Sequence, residues 1–107
     1  YKIMQSAELY RGVAIAAPTE PQDRIVAAQA ADELLNISGV NASIVIANAA
    51  NGGVFASARS IGELNVQLIM EKLGGGGNRS AAAVQFKDKT LPEAVHAVYA
   101  AIDDYLG

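Results

Sequence analysis

The chain's pattern predicts an α/β fold, a small mixed β-sheet covered by helices, and three observations carry that reading. Short apolar runs alternate with segments whose apolar residues recur at helical spacing. Asn51-Gly52-Gly53 is a turn signal that joins two of the runs into a hairpin. The resulting order of strand, helix, hairpin, helix, strand, helix is that of strands and helices packed in layers.

Val13-Ala14-Ile15-Ala16, ended by Pro18, reads as a buried strand. Thr19 with Gln22 three residues on fits a capping box, with Pro21 in the first turn of the helix that follows. Ile25, Ala28, Ala31 and Leu35 make its predicted buried stripe, which runs to about Asn36 before Ser38-Gly39 breaks the pattern. Ala42 to Ala47 and Val54 to Ser60 are the two arms of the hairpin. In the second arm Val54, Ala56 and Ala58 share one face, and Phe55, Ser57 and Arg59 the other. Val66, Ile69, Met70 and Leu73 stand at i, i+3, i+4 and i+7 of the next helix, with Gly74 where a C-terminal cap belongs. Gly74 to Ser80 reads as a loop and Ala83 to Phe86 as a short strand. Thr90-Leu91-Pro92-Glu93 caps a last helix with the stripe Leu91, Ala94, Val95, Val98, Ile102 and Leu106.

A length of 107 residues suits one domain, residues 1–107, with a core of its own. No apolar stretch approaches the length of a membrane span and no signal peptide opens the chain, so membrane contact by these residues is not expected. The absence of cysteine removes disulfides and thiolate metal sites and fits a reducing cytoplasmic setting. The chain opens on Tyr1 as if mid-sequence, the expectation for part of a longer multidomain protein. Net charge is −3, which argues against broad affinity for nucleic acid. Yet Arg59 to Lys89 holds five basic residues against three acidic ones, while the rest of the chain holds three against eight. Such a segment suits a small anionic ligand, and equally a scatter of solvated charges.

No catalytic or metal-binding constellation is present. His96 lies off the apolar stripe of the last helix and reads as a surface residue. Asp103 and Asp104 are adjacent on that helix, so they point about 100° apart and do not converge on one ion. Asp23 and the Asp32-Glu33 pair read as a solvated helix face. The chain alone is therefore not expected to be an active hydrolase. Gly74-Gly75-Gly76-Gly77-Asn78-Arg79 is neither a P-loop, which needs Gly-Lys where Asn78-Arg79 stand, nor a dinucleotide fingerprint. Backbone without side chains can turn N–H groups onto an anion, with Asn78 and Arg79 adding donors. A flexible helix terminator is the other reading. Arg59, at a strand end, can grip a phosphate through two donors, or stand as a surface arginine.

Taken together, Ser57-Ala58-Arg59-Ser60, Asn65-Val66, Glu71-Lys72-Leu73-Gly74-Gly75-Gly76-Gly77 and Ala81-Ala82 resemble the DHH-associated domain of DHH-family phosphoesterases. The form found in bacterial cyclic-di-AMP phosphodiesterases is the closest match. Ala28-Gln29-Ala30-Ala31-Asp32 and Ala101-Ile102-Asp103-Asp104-Tyr105-Leu106 extend the resemblance over nearly the whole chain. It implies that a separate N-terminal domain of the same chain carries Asp-His-His ligands for two manganese ions, while this domain faces it across a cleft and binds the nucleotide. It also implies that Arg59 and the Gly75, Gly76 and Gly77 backbone hold a phosphate or the adenine-bearing end of cyclic di-AMP or a linear dinucleotide. Members of this group are membrane-anchored and carry sensory domains, so the parent protein can sit at a membrane. The family pattern closes its glycine run with histidine where this chain has Asn78. Asparagine cannot carry a positive charge, and losing a charge-assisted contact costs on the order of 1–2 kcal/mol in binding.

Two other functions fit the resemblance. RecJ-type exonucleases, nano-RNases and alanyl-tRNA synthetases carry related domains, which makes single-stranded nucleic acid a possible ligand. The negative charge and the few aromatics weigh against it. The third is a packing or homodimerisation domain that has lost its ligand with the histidine.

Overall fold

The structure, a computed structural model, describes residues 2–107. Tyr1 lies outside the described residues. The elements in order are α1 (Lys2–Gln5), β1 (Glu8–Tyr10), β2 (Val13–Ala16), α2 (Arg24–Leu34), β3 (Ala42–Asn48), β4 (Val54–Ser60), α3 (Val66–Glu71), β5 (Gly76–Gly77), β6 (Ala81–Phe86) and α4 (Leu91–Leu106). The strands form one six-stranded sheet in the order β1-β2-β3-β4-β6-β5. Only the β2–β3 pairing is parallel, with α2 as its crossover, so the sheet is mixed as expected.

β3 is central and buried along nearly its whole length, which is why Ala42 to Ala47 reads as an apolar run without alternation. Its even-numbered residues Ile44 and Ile46 join Val13, Ala56, Val84, Phe86, Ile69, Met70, Val98 and Ile102 in a core beneath α3 and α4. On the opposite face Val45, Ala47 and Phe55 pack with Ala27, Ala30, Ala31 and Leu34 of α2. Each fully buried Leu, Ile, Met or Phe stabilises the fold by roughly 1.5–3 kcal/mol. Alanines on the inner side of α2 let the helix lie close on the strands. The buried Ser43 hydroxyl uses that closeness to donate to the Ala31 carbonyl.

Helix α2 begins later than the Thr19–Gln22 capping box predicts. Asp23 is the N-cap, and its Oδ1 accepts from Ile25 N at 2.7 Å and Val26 N at 3.2 Å. Gln22 instead donates its backbone N–H to Asn48 and bridges Ala49, an extended pairing no residue within a helical turn can make. The later start rotates the buried face to Ala27, Ala30, Ala31 and Leu34, leaving Ile25 69 % exposed rather than buried. α1 and β1 went unanticipated, being too short for a periodic signal. α4 starts where expected, with the Thr90–Glu93 capping box formed in both directions, and buries Ala94, Val98 and Ile102 of its stripe, while Leu106 is exposed and Ala101 is buried in addition. Among the described residues no helix is long and apolar enough to cross a membrane.

At the β1 edge, Tyr10 Oη donates to Asp103 at 2.7 Å, and Arg11 reaches Asp103 at 2.9 Å and the Gly107 carbonyl at 3.0 Å. Tyr10 also packs edge-to-face on Tyr99. Asp104 turns away to Lys72, at 2.6 Å, so the two neighbouring carboxylates do diverge. The Tyr10 and Arg11 donors hold the Asp103 carboxyl below the usual carboxylate range. A depressed folded pKa means this contribution is present above the unfolded value of about 3.9 and is lost as pH falls through the folded one. Asp103→Asn should therefore lower the urea midpoint near pH 7, with the gap to wild type closing toward about pH 2.

Candidate functional site

The two faces of the sheet are not covered alike. α3 and α4 cover one of them out to β6, but on the other α2 packs on β3 and β4 and reaches β6 through the Arg24 side chain at its start. β6 records the result: Ala82, Val84 and Phe86 are buried, while Ala83 and Gln85 on its second face are exposed. Beside them on β4 stand Phe55, Ser57 and Arg59. A bare strip of sheet thus runs along β6 and the edge strand β5, bordered by the covered residues of β4.

Arg59 lies at one end of this strip. It pairs across the ladder with Ala81, and Ala81 exchanges two backbone hydrogen bonds with Asn78, at 2.8 and 3.3 Å. Arg59, Ala81 and Asn78 therefore share one cross-strand row, with about 10 Å between the outer two backbones. The Arg59 Nε sits 3.2 Å from Asp32 Oδ1, and Nη1 donates to the Ala58 carbonyl at 2.9 Å. Those contacts fix the guanidinium plane, and Nη2 donates to none of the described residues. Asp32, read from sequence as solvated face, is 63 % exposed yet orients this arginine.

The glycine segment is not an open loop. Gly74 takes a φ of +93° and, with Gly75 bonding back to Met70 O at 2.8 Å, ends α3 as the sequence predicts. The chain then pairs with β6 as β5, Gly76 opposite Ala83 and Gly77 opposite Ala82. A Cβ on Gly75 would meet Ala83 O at 2.2 Å, and one on Gly77 would meet Ala81 O at 2.5 Å, so both are glycine because β6 passes so near. Gly76 differs. A Cβ there meets nothing within 4 Å, and its φ is not positive. Paired residues share a face, so a side chain at 76 would stand beside Ala83 on the bare strip.

Asn78 and Arg79 have structural tasks. Asn78 Oδ1 accepts from Ser80 N at 3.0 Å and Ala81 N at 2.9 Å, closing the β5–β6 turn. Arg79 Nη2 donates to the Glu63 carbonyl at 3.0 Å and more weakly to Gly62, tying down the β4–α3 loop. At the far end of the strip lies an arrangement with no local signal in the sequence. Arg24, first residue of α2, stacks its guanidinium 4.7 Å from the centroid of the Phe55 ring and donates to Gln85 Oε1. Between the two ends is a shallow recess of about 260 Å³ lined by Arg24, Phe55, Ser57, Gly75, Ala83 and Gln85.

Residues 13–107 match the DHHA1 domain family. The chain belongs to that family. It is 48 % identical over 107 residues to the cyclic-di-AMP phosphodiesterase PdeA of Listeria monocytogenes, covering 97 % of this chain and 16 % of that protein. It is 50 % identical over 96 residues to the cyclic-di-AMP phosphodiesterase GdpP of Geobacillus thermodenitrificans, covering 88 % of this chain and 15 % of that protein. The chain thus spans about a sixth of the length of these curated relatives. The fold also matches an exopolyphosphatase-related protein from Bacteroides fragilis, with a TM-score of 0.82 at 21 % identity, over 97 % of this chain and 33 % of that one. Among the described residues no three His, Cys, Asp or Glu converge as metal ligands.

The turn geometry gives a test of Asn78. Asn78→Ala should cost about 1 kcal/mol of stability in urea unfolding, because two backbone donors lose their acceptor. Asn78→His should regain part of it where the ring nitrogen accepts from the same amides.

Proposed function

We propose that this chain is the substrate-binding domain of a DHH-family phosphodiesterase that hydrolyses cyclic di-AMP or short linear dinucleotides. Catalysis and the manganese ions belong, in this reading, to a DHH domain elsewhere in the same protein, which faces the bare strip across a cleft. The observation that carries the proposal is the Arg59 end of the strip. An oriented guanidinium there has a donor to spare, and in the next row of the strip, on the edge strand, stands a glycine, Gly76, that the fold itself does not require. An anion seated between them takes a charge-assisted hydrogen bond from Arg59, and its approach to the β5 backbone is unobstructed. Gly75 and Gly77 contribute by keeping β5 tight on β6. Asn78 contributes the turn that sets Gly76 in register, and Arg79 the placement of the neighbouring loop.

The reading as a single-stranded nucleic-acid module finds less support. Phe55 is buried beneath Arg24, Phe86 faces the core, and Tyr10 and Tyr99 pack on each other at the opposite edge. The strip therefore exposes no aromatic rings for successive bases.

Titration of the chain with cyclic di-AMP, its linear product and a short oligonucleotide, followed by amide chemical shifts, tests the proposal. Saturable shifts at Arg59 and Gly76 are expected with the dinucleotides. Arg59→Gln should weaken binding roughly 10- to 100-fold, the loss of one hydrogen bond from a charged donor. Gly76→Ala should weaken binding at unchanged Tm, whereas Gly75→Ala should destabilise the fold by about 1–3 kcal/mol through overpacking. Tighter, steeply salt-dependent binding of the oligonucleotide would favour the nucleic-acid reading instead.

A further inference from the structure

The Arg24 end of the strip holds an arginine whose charge the fold leaves uncompensated. Among the described residues no carboxylate pairs with Arg24, although the chain is acidic overall. Its position in the first turn of α2 is also electrostatically poor for a cation, since a helix N-terminus carries partial positive charge. Its geometry is nevertheless well defined. Phe55 lies beneath the guanidinium and is itself only 2 % exposed. Gln85 accepts from Arg24 through Oε1 and donates through Nε2 to Val54 O at 3.2 Å, so the amide that pins the arginine is itself anchored. Gly53 makes room for that amide, since a Cβ there would lie 2.7 Å from Gln85 Nε2.

We infer that Arg24 is a stacking platform for a nucleobase, and that it makes the site selective for dinucleotides over mononucleotides. The inference rests on the nucleotide reading of the Arg59 end. Phe55 occupies the inner face of the guanidinium and leaves the outer one to a planar ligand, a use of arginine common in the recognition of unpaired bases. The adjoining recess, at about 260 Å³, falls below the roughly 300–1,000 Å³ of a site for a drug-sized ligand and suits one ring system. Its lining of Phe55, Ala83 and Gly75 favours a base over a phosphate. Phe55 and Arg59 are four residues apart on the same face of β4, about 13 Å along the strand. That span is longer than the reach from a base to its own phosphate, and it suits a phosphate at Arg59 with the base of a neighbouring nucleotide on Arg24. Gln85 is a positioning residue and does not itself read the base.

Affinities of the chain for a linear adenine dinucleotide, for AMP and for the same dinucleotide lacking one base test the inference. The variants are Arg24→Gln, Arg24→Lys and Arg59→Gln, each with its Tm. Arg24→Gln is expected to weaken the dinucleotide roughly 5- to 100-fold, the loss of one stacked base, and to leave AMP and the base-deleted dinucleotide within about twofold. Arg59→Gln is expected to weaken all three. Rescue by Arg24→Lys would show that charge rather than a planar cation matters and would overturn the stacking role. So would an Arg24→Gln loss equal for dinucleotide and AMP, or no loss at all, while Arg59→Gln still weakened binding. Failure of every nucleotide to bind the wild-type chain would overturn the nucleotide reading and this inference with it.

Discussion

The structure depends on the unequal covering of one sheet. β4 and β6 pair along their full length and bury Val54, Ala56, Ala58, Ala82, Val84 and Phe86 under α3 and α4. That burial holds the edge of the sheet in place without help from the other side. The body of α2 is therefore free to pack on β3 and β4, with Arg24 at its start reaching Gln85, and the second face of β6 remains exposed at Ala83 and Gln85. A domain of this size normally has little to gain by leaving sheet uncovered, because apolar burial is its main source of stability. Here the exposed positions are Ala83 and Gln85, and the half-buried ones include Ala81, so little apolar area is given up.

The arginines show how one residue type serves separate ends. Arg11 joins the β1 edge to the end of α4, and Arg79 holds a loop by its carbonyls. Arg59 and Arg24 border the bare strip, each held by one directional contact and one further partner, the Asp32 carboxylate in one case and the Phe55 ring in the other. The four consecutive glycines divide in the same manner. Gly74 supplies a left-handed turn, Gly75 and Gly77 admit a close strand, and Gly76 answers to nothing inside the domain. A glycine-rich run thus combines three physical requirements that composition alone presents as one.

Much of the fold was legible because its long elements carry strong periodic signals. The α4 capping box and the Ala94, Val98 and Ile102 part of its stripe, the buried run of β3 and the hairpin at Asn51-Gly52-Gly53 form where the pattern places them. The start of α2 is ambiguous in the sequence because two capping signals stand four residues apart, and a long-range bond from Gln22 to Asn48 selects the second. The glycine segment reads as a loop because glycine has low strand propensity. It pairs as β5 because the Asn78 turn folds it back onto β6.

The sequence by itself determined the fold class, the family and the location of the glycine run and Arg59, since these rest on local periodicity, turn chemistry and motif identity. The tertiary structure alone decided that Arg59 and Gly76 border the same bare surface, that Asp32 orients the arginine, and that Arg24, Phe55 and Gln85 meet across elements 30 and more residues apart. Those juxtapositions follow from strand order and helix coverage. Local sequence cannot express them, because they depend on which distant residues compete to bury the same faces.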